Sequence, residues 1–534
     1  MWHNKNFPKN MKLLLRITLI LLFFSSCSKK ADKSVVIFFE NDVHCAVQGY
    51  PYFAGLRNSV NTDTAFVAMT SAGDYSQGGT IGSISRGEAI MKIIKEIGYD
   101  ALAMGNHEFD YDIQHTKNLV GDSDIPVVCA NITDLDGKPV FAPYRICEYG
   151  NVKVGYIGVT TPNTYLSKPA AFQDIAGNNL YDFHRFDLYE WVQKTVDEVR
   201  AKKADYVIVL SHVGEDPDTI GITSHKLLAA TSGIDALFDG HTHSYVTPRK
   251  IKNCKGKDVW LAQTGEFFKN AGKLVIGKDG KLSMELIPLM SAEPLQQEPD
   301  AHIKQFVDSI TNYYGQITEM PVGECDFVLE VNDENGYKKA RYQDTNSGNL
   351  VTDAMRDFAQ CDIAFFNGGG IRTEVKAGNI KRGDIIALLP YENDLCTFTV
   401  TGQQIRDILT ASVRPLPALN GSFLQVSGLQ FEAFVYDDKD NEVTEIKVYD
   451  KKTRKYVPLS NEETYEVAIT DYLLTDETFL CMNKQFPDLV NHHVVISDIV
   501  INFIHDNCKG KVPSRYAKEE TRMKILGLSL KKTE

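Results

Sequence analysis

The sequence predicts a mixed α/β chain, α+β overall, built as two units joined by a helix. Three observations lead there. Residues 35–288 alternate short apolar runs with stretches at helical spacing, five of the six runs singled out below end directly in Asp, Asn, Gly or His, and a second apolar-periodic block runs from about Pro321 to Leu528. The 534 residues carry 57 Lys+Arg against 70 Asp+Glu, a net charge of -13, with 43% apolar and 10% aromatic residues. That composition excludes disordered, collagen and fibre classes. At roughly 150 residues per domain the length favours two to four domains, each able to bury a core without disulfides. The acidic balance argues against a nucleic-acid polymer as partner, but not against one small phosphate ester at a locally positive site.

The chain opens with Lys5, Lys9, Lys12 and Arg16 and no acid, and passes into the apolar stretch Leu13 to Phe24, which is short for a membrane span. Ser25, Ser26, Cys27 and the polar Ser28-Lys29-Lys30 follow, the order of a secretory signal. A cysteine directly after the small pair resembles a bacterial lipoprotein processing site. It implies removal of residues 1–26, a lipid anchor on Cys27 and a location on the bacterial membrane facing the periplasm or cell surface; a plain signal peptide is the simpler alternative. Loss of the four cations takes the net charge from -13 to about -17. The remaining cysteines, at 45, 129, 147, 254, 325, 361, 396, 481 and 508, are odd in number without short paired spacing. They read as buried small hydrophobes, with one disulfide left open, and not as a zinc ribbon.

The first unit, 27–292, contains the runs Val35 to Phe39, Ala65 to Met69, Ala101 to Met104, Val152 to Val159, Tyr206 to Leu210 and Ala236 to Phe238, expected as strands of a central sheet. Residues 293–320 hold Pro294 and Pro299, then Ala301, Ile303, Phe306, Val307, Ile310 and Tyr314 at helical spacing, and read as a linking helix rather than a core element. Residues 321–534 form the second unit.

Functional groups at the carboxyl ends of strands mark where open α/β proteins bind ligands. The strand ends read Asn41-Asp42-Val43-His44, Gly73-Asp74, Gly105-Asn106-His107-Glu108, Ser211-His212 and Gly240-His241-Thr242-His243. One such cluster alone is a turn or helix cap; five in order, each after an apolar run, are hard to reach by chance. Asp42 and His44 lie two apart, as do His241 and His243, so on an extended backbone each pair points to one side. Carboxylate, imidazole and amide oxygen form a mixed hard and borderline set suited to Zn²⁺, Mn²⁺, Fe²⁺ or Co²⁺. Seven ligands are too many for one tetrahedral ion and suit two divalent ions sharing a carboxylate. Such a pair, roughly 3.5–4 Å apart, can clamp the attacking and leaving oxygens of a phosphoryl displacement.

The order D-x-H, G-D, G-N-H-E, S-H, G-H-x-H resembles the dinuclear metallophosphoesterase superfamily, and the longer context resembles its 5′-nucleotidase family. The resemblance implies a metallophosphoesterase β-sandwich flanked by helices, a linking helix and an α/β substrate-binding domain. It implies one ion held by Asp42, His44 and His243, another by Asn106, His212 and His241, and Asp74 bridging. His107 would act on the transition state or leaving group, oriented by Asp110. His243 stands where many relatives carry Asn or Gln, and Cys45 where glycine is frequent. Histidines 115, 184, 225 and 302 sit in helical or loop patterns without partners, His3 lies in the signal and His492-His493 in a polar turn, and all read as surface or packing residues.

In the second unit Asn367-Gly368-Gly369-Gly370-Ile371-Arg372 follows an apolar run; its glycines permit close approach to a ligand and Arg372 offers a forked donor set to phosphate. With Asn346 to Met355 upstream and Leu389-Pro390-Tyr391-Glu392-Asn393 downstream, it resembles the substrate-binding domain of the same family. The resemblance implies Arg341 and Arg372 on the phosphate or α-carboxylate side of the pocket, Gly369 at the backbone approach, Asn367 on the base and Tyr391 stacked on it. A second aromatic normally follows G-G-D-G; here Thr475-Asp476-Glu477-Thr478-Phe479 keeps Phe479 and loses the glycines. The implied activity is metal-dependent hydrolysis of nucleoside 5′-monophosphates to nucleoside and phosphate. The alternatives are a 2′,3′-cyclic nucleotide phosphodiesterase, a UDP-sugar hydrolase, a thiosulfate-ester hydrolase, or a lipoprotein that binds nucleotide without turnover. Oligomeric state is not legible.

Overall fold

A computed structural model describes residues 31–528 apart from 122, 168, 174–177, 216–220, 292–294, 392, 475–485, 487 and 518–520. Cys27 with the leader, Cys481 and Phe479 lie outside the described residues.

In the first unit the strand Ser34–Glu40 reads Ser-Val-Val-Ile-Phe-Phe-Glu with nearly every position buried, because both faces of its sheet are covered. Val35, Ile37 and Phe39 point to one core and Val36 and Phe38 to another, the period of two that a strand imposes. The strand pairs in parallel with Ala65–Ser71 and antiparallel with Asn270–Ile276. The sheet runs Leu282–Pro288, Asn270–Ile276, Ser34–Glu40, Ala65–Ser71, Ala101–Ala103, Val127–Val128. A second six-stranded sheet runs Tyr245–Lys252, Asp258–Thr264, Ala236–Asp239, Tyr206–His212, Val152–Thr160, Tyr144–Tyr149. Two sheets face each other where the runs alone suggested one central sheet; strands buried on both faces carry no sign of which sheet they join. Between them Phe39 stacks on Phe238 with ring centroids 3.8 Å apart.

Helices cover both outer faces. Glu88–Ile97 buries Ile90, Ile93, Ile94 and Ile97, the 3-4-7 spacing of an amphipathic helix, against the first sheet. Leu188–Ala201 buries Leu188, Val192, Val196 and Val199 against the second.

The joining helix is Ala301–Thr318. Asp300 caps it, accepting from Ile303 N at 2.9 Å, and its other oxygen accepts from Asn58 Nδ2 at 2.9 Å. Ile303 and Val307 are buried in the first unit's core, so this helix is a core element as well as a connection. Its far end meets the second unit, where Lys381 pairs with Glu319 at 2.5 Å.

The second unit holds a five-stranded sheet, Leu424–Ser427, Ile363–Asn367, Thr464–Thr470, Asp394–Thr401, Val490–Val495, and a four-stranded one, Lys455–Pro458, Glu442–Asp450, Leu429–Phe434, Met523–Leu526. His492 and His493 thus lie in a strand and not in a turn. Asp353, on helix Asn346–Ala359, accepts two bonds of 2.9 Å from Arg522, a bidentate pair that ties the helix to the residue entering strand Met523–Leu526. The units touch where helix Arg382–Leu388 meets helix Gly79–Ser85 and where the turn Asp471–Leu474 meets Pro169–Phe172. A cavity of about 430 Å³ lies between them, lined by Ser83 and Arg86 from one side and Arg382, Pro390 and His493 from the other.

Among the described residues all eight cysteines are free; Cys45, Cys129, Cys325, Cys361 and Cys396 are buried, Cys147 and Cys508 half-buried and Cys254 exposed. No helix is long and apolar enough to cross a membrane among the described residues.

Candidate metal centre

The parallel strands of the two sheets deliver Asp42, Asp74, Asn106, His212, His241 and His243 to one edge. Five of the seven candidate ligands sit in left-handed backbone, Asp42 at φ 52°, His44 at 44°, Asp74 at 59°, His241 at 80° and His243 at 54°. Non-glycine residues adopt that region at a cost of about 1–2 kcal/mol each, and such positions cluster at functional sites. Close loop packing needs glycine: a Cβ on Gly105 would collide with Asp74, and one on Gly240 would lie 2.8 Å from His212 Nδ1 and 3.1 Å from Asp42 Oδ2.

Ligand atoms of Asp42, His44, Asp74 and His243 all lie within 4.8 Å of one another. His44 Nε2 is 3.1 Å from His243 Nε2 and 3.7 Å from Asp74 Oδ2, and His243 Nε2 is 3.6 Å from Asp42 Oδ1. A second set lies alongside: His241 Nδ1 is 2.9 Å from Asn106 Oδ1, and His212 Nε2 is 3.1 Å from Asp74 Oδ2. Asp74 Oδ2 therefore sits between the two sets, where a bridging carboxylate would be. His212 Nδ1 bonds to Ala72 O at 2.8 Å, which turns its fully buried Nε2 inward, where it makes no hydrogen bond. A buried donor atom aimed at two carboxylates and left without a hydrogen bond is what a metal ligand looks like before its ion is added.

The electrostatics agree. Burial pushes His44 and His241 down to about 4, so both rings are neutral donors at pH 7. Burial likewise raises Asp42 to about 6, against the pull of His212. At Asp74 and His212 burial opposes charge, but their mutual attraction wins, holding Asp74 well below the usual carboxylate range and raising His212 to about 10. This cluster demands positive charge at its middle, which a divalent cation supplies. The donor set fits two divalent ions of unspecified identity.

Beside the centre, His107 Nδ1 is 2.8 Å from Asp110 Oδ2, and His107 N donates to Asp74 Oδ1 at 2.9 Å. The rings of His107 and His44 meet edge-on at 5.2 Å.

Of three supporting residues, Asn41 and Glu108 stand inside the strand-end clusters but had no role assigned there, and Glu266 carries no sequence signal. Glu108 accepts from Asp74 N, Tyr75 N, Ser76 N, Ser76 Oγ and Gly105 N at 2.7–3.1 Å, tying together the loops that carry Asp74 and Asn106. Asn41 donates to Asp42 Oδ2 at 2.6 Å and accepts from Thr264 N at 2.8 Å. Glu266 Oε2 is 2.8 Å from His243 Nδ1. Cys45 fills the space over Gly82, whose Cβ would collide with its Sγ. Four of the remaining histidines meet a neighbour: His184 stacks on Trp191 at 3.7 Å, His115 Nε2 lies 2.9 Å from Arg86 O, His302 pairs with Glu96 and His492 Nε2 lies 2.9 Å from Thr397 Oγ1.

In the second unit Asn367 ends strand Ile363–Asn367, buried, its Oδ1 without a hydrogen-bond partner among the described residues. Gly369 follows in the turn Gly368–Gly370, where a Cβ would lie 2.7 Å from Gly421 Cα. Arg341, half-buried, closes the turn Lys339–Arg341, which packs against Gly368–Gly370. The Arg372 guanidinium lies 5.9 Å from the ring centre of Tyr391, which is 46% exposed and thus offers a face to a ligand.

Residues 35–245 match the family model of the calcineurin-like phosphoesterases, and residues 321–483 that of the 5′-nucleotidase C-terminal domain. The chain thus pairs a calcineurin-like phosphoesterase domain with a 5′-nucleotidase C-terminal domain. Among its relatives, a 5′-nucleotidase of Vibrio parahaemolyticus is 26% identical over 433 residues, covering 75% of each chain. The trifunctional nucleotide phosphoesterase YfkN of Bacillus subtilis is 26% identical over 480 residues, 81% of this chain; the match spans only 31% of that longer protein. The crystal structure of a 5′-nucleotidase precursor from Thermus thermophilus superposes with a TM-score of 0.56 at 25% identity, covering 93% of this chain and all of that one.

Proposed function

We propose that this chain belongs to the 5′-nucleotidase family and hydrolyses nucleoside 5′-monophosphates to nucleoside and phosphate, as a phosphoric ester hydrolase dependent on two divalent ions. The observation that carries the reading is the convergence of six donors about Asp74 with the His107–Asp110 pair at their side. Asp42, His44 and His243 would hold one ion, Asn106, His212 and His241 the other, and Asp74 both. The ions supply positive charge to a transferring phosphoryl group and activate water at neutral pH. His107, held through Nδ1 by Asp110, donates a hydrogen bond to the phosphoryl group or the departing oxygen.

The second unit grips the nucleotide: Arg341 and Arg372 neutralise phosphate, Asn367 offers its unpartnered amide oxygen to an exocyclic amine of the base, and Tyr391 stacks on the ring, an interaction worth about 1–3 kcal/mol. As a second stacking face the resemblance implies Phe479, which lies outside the described residues. Residues 27–292 form the catalytic domain, 293–320 the linker and 321–534 the substrate domain. Residues 1–26 are a lipoprotein signal, and the mature protein is exported and anchored through Cys27.

The Bacillus relative is named a trifunctional nucleotide phosphoesterase, so the test is a substrate panel. Metal-loaded protein lacking residues 1–26 is offered AMP, 2′,3′-cyclic AMP, UDP-glucose and NAD. Phosphate release fastest from AMP supports the reading. Preference for a diester, or AMP binding without turnover, overturns it.

A further inference from the structure

A histidine ligand is useful only when one ring nitrogen carries the proton and the other presents its lone pair, and something outside the ring must enforce that choice. For two of the histidines here the backbone does so: His212 Nδ1 faces Ala72 O at 2.8 Å and His44 Nδ1 faces Gln77 O at 3.3 Å. Among the described residues no backbone carbonyl takes that role for His243. Its Nδ1 faces the Glu266 carboxylate at 2.8 Å, while its Nε2 points at His44 and Asp42.

Glu266 is itself held. Its other oxygen accepts from Lys269 Nζ at 2.7 Å, and its neighbours are tied to the centre: Phe267 N donates to Asp42 O at 2.9 Å, Asn41 Nδ2 donates to Gly265 O at 2.7 Å, and Gly265 N donates to Ser244 O at 3.1 Å. The His243 side chain is 40% exposed and that of Glu266 23%, so the pair adds little to the stability of the fold. Its geometry makes sense as ligand control.

We propose that Glu266 is the positioning residue for His243: it pins the proton on Nδ1, aims Nε2 into the centre and strengthens it as a donor, so that the affinity of one of the two metal positions is set by a residue that touches no metal. The inference rests on the reading of His243 as a ligand. It also predicts a specific coupling. An amide at position 243 would coordinate through its oxygen and needs no partner to fix a tautomer, so Glu266 should matter only while residue 243 is histidine.

The test measures Mn²⁺ and Zn²⁺ affinity of metal-stripped protein by competition with a fluorescent chelator, for wild type, Glu266→Ala, Glu266→Gln, His243→Gln and the double variant His243→Gln/Glu266→Ala. Glu266→Ala should weaken one of two sites by about 10–100-fold, the usual effect of removing such an outer partner, while the thermal midpoint of the metal-free chain stays unchanged. Glu266→Gln, whose amide oxygen still accepts from Nδ1 without the charge, should fall between. In the His243→Gln background, removing Glu266 should have no further effect. Wild-type affinity at both sites in Glu266→Ala, or the same loss in both backgrounds, overturns the role of Glu266. His243→Ala distinguishes the deeper failure: if it binds two ions with wild-type affinity, His243 is no ligand and both readings fall.

Discussion

Glu108 shows how a single buried carboxylate can hold two ligand-bearing loops in register. Its five donors come from both sides of the centre, and its replacement leaves them buried without an acceptor. Glu108→Ala should lower the stability of the metal-free chain by about 3–5 kcal/mol, the scale for stripping one partner from a buried charge network. A denaturant midpoint equal to wild type would contradict this. His107 stands in contrast. Its side chain is 36% exposed, so His107→Ala should keep the fold and both ions while lowering kcat by about 10²–10⁴-fold, the range for losing one positioned acid–base group. Metal analysis alongside steady-state kinetics separates the two outcomes. Asp110→Asn should move kcat in the same direction and by less.

At the scale of elements, the joining helix and the turn Asp471–Leu474 connect the units in different ways. The helix is fixed to the first unit through Ile303, Val307 and the Asp300 cap; Asp300→Ala should cost about 1 kcal/mol, seen as a lower thermal midpoint. Asp471 opens the turn that meets the first unit. Burial raises its carboxyl to about 7, with the charges of Asp394 and Asp112 adding to the shift. A carboxyl whose folded value lies above its unfolded one stays protonated in the native state while the unfolded chain ionises. Stability is thus full below about pH 4 and is lost as pH rises towards 7. Asp471→Asn should therefore raise the thermal midpoint at pH 8 and leave it unchanged at pH 4. The reverse pattern would show that the acid is ionised in the folded protein.

For the whole molecule, the strand-end clusters were legible because each sits where a buried run stops, and chain order preserves that pattern whatever the strand order. Two features were not legible. Strands covered on both faces look alike in sequence, so nothing in Val35 to Phe39 or Tyr206 to Leu210 says that they belong to different sheets. Glu266 lies 23 positions beyond His243, and the two meet only because the loop after Asp258–Thr264 folds back on Ser244. The net charge of -13 likewise describes the surface and not the site, where four imidazoles surround two buried carboxylates and the second unit adds Arg341 and Arg372.

The central claim is that Asp74 and the six donors about it form a two-ion centre that hydrolyses a nucleoside monophosphate. Its most direct test is phosphate release from AMP by metal-stripped protein as Mn²⁺ is added in known equivalents. Activity should be absent without metal, rise to a plateau at two ions per chain, and fail to appear in Asp74→Ala at any equivalence. Full activity in chelator, or in Asp74→Ala, would contradict the account.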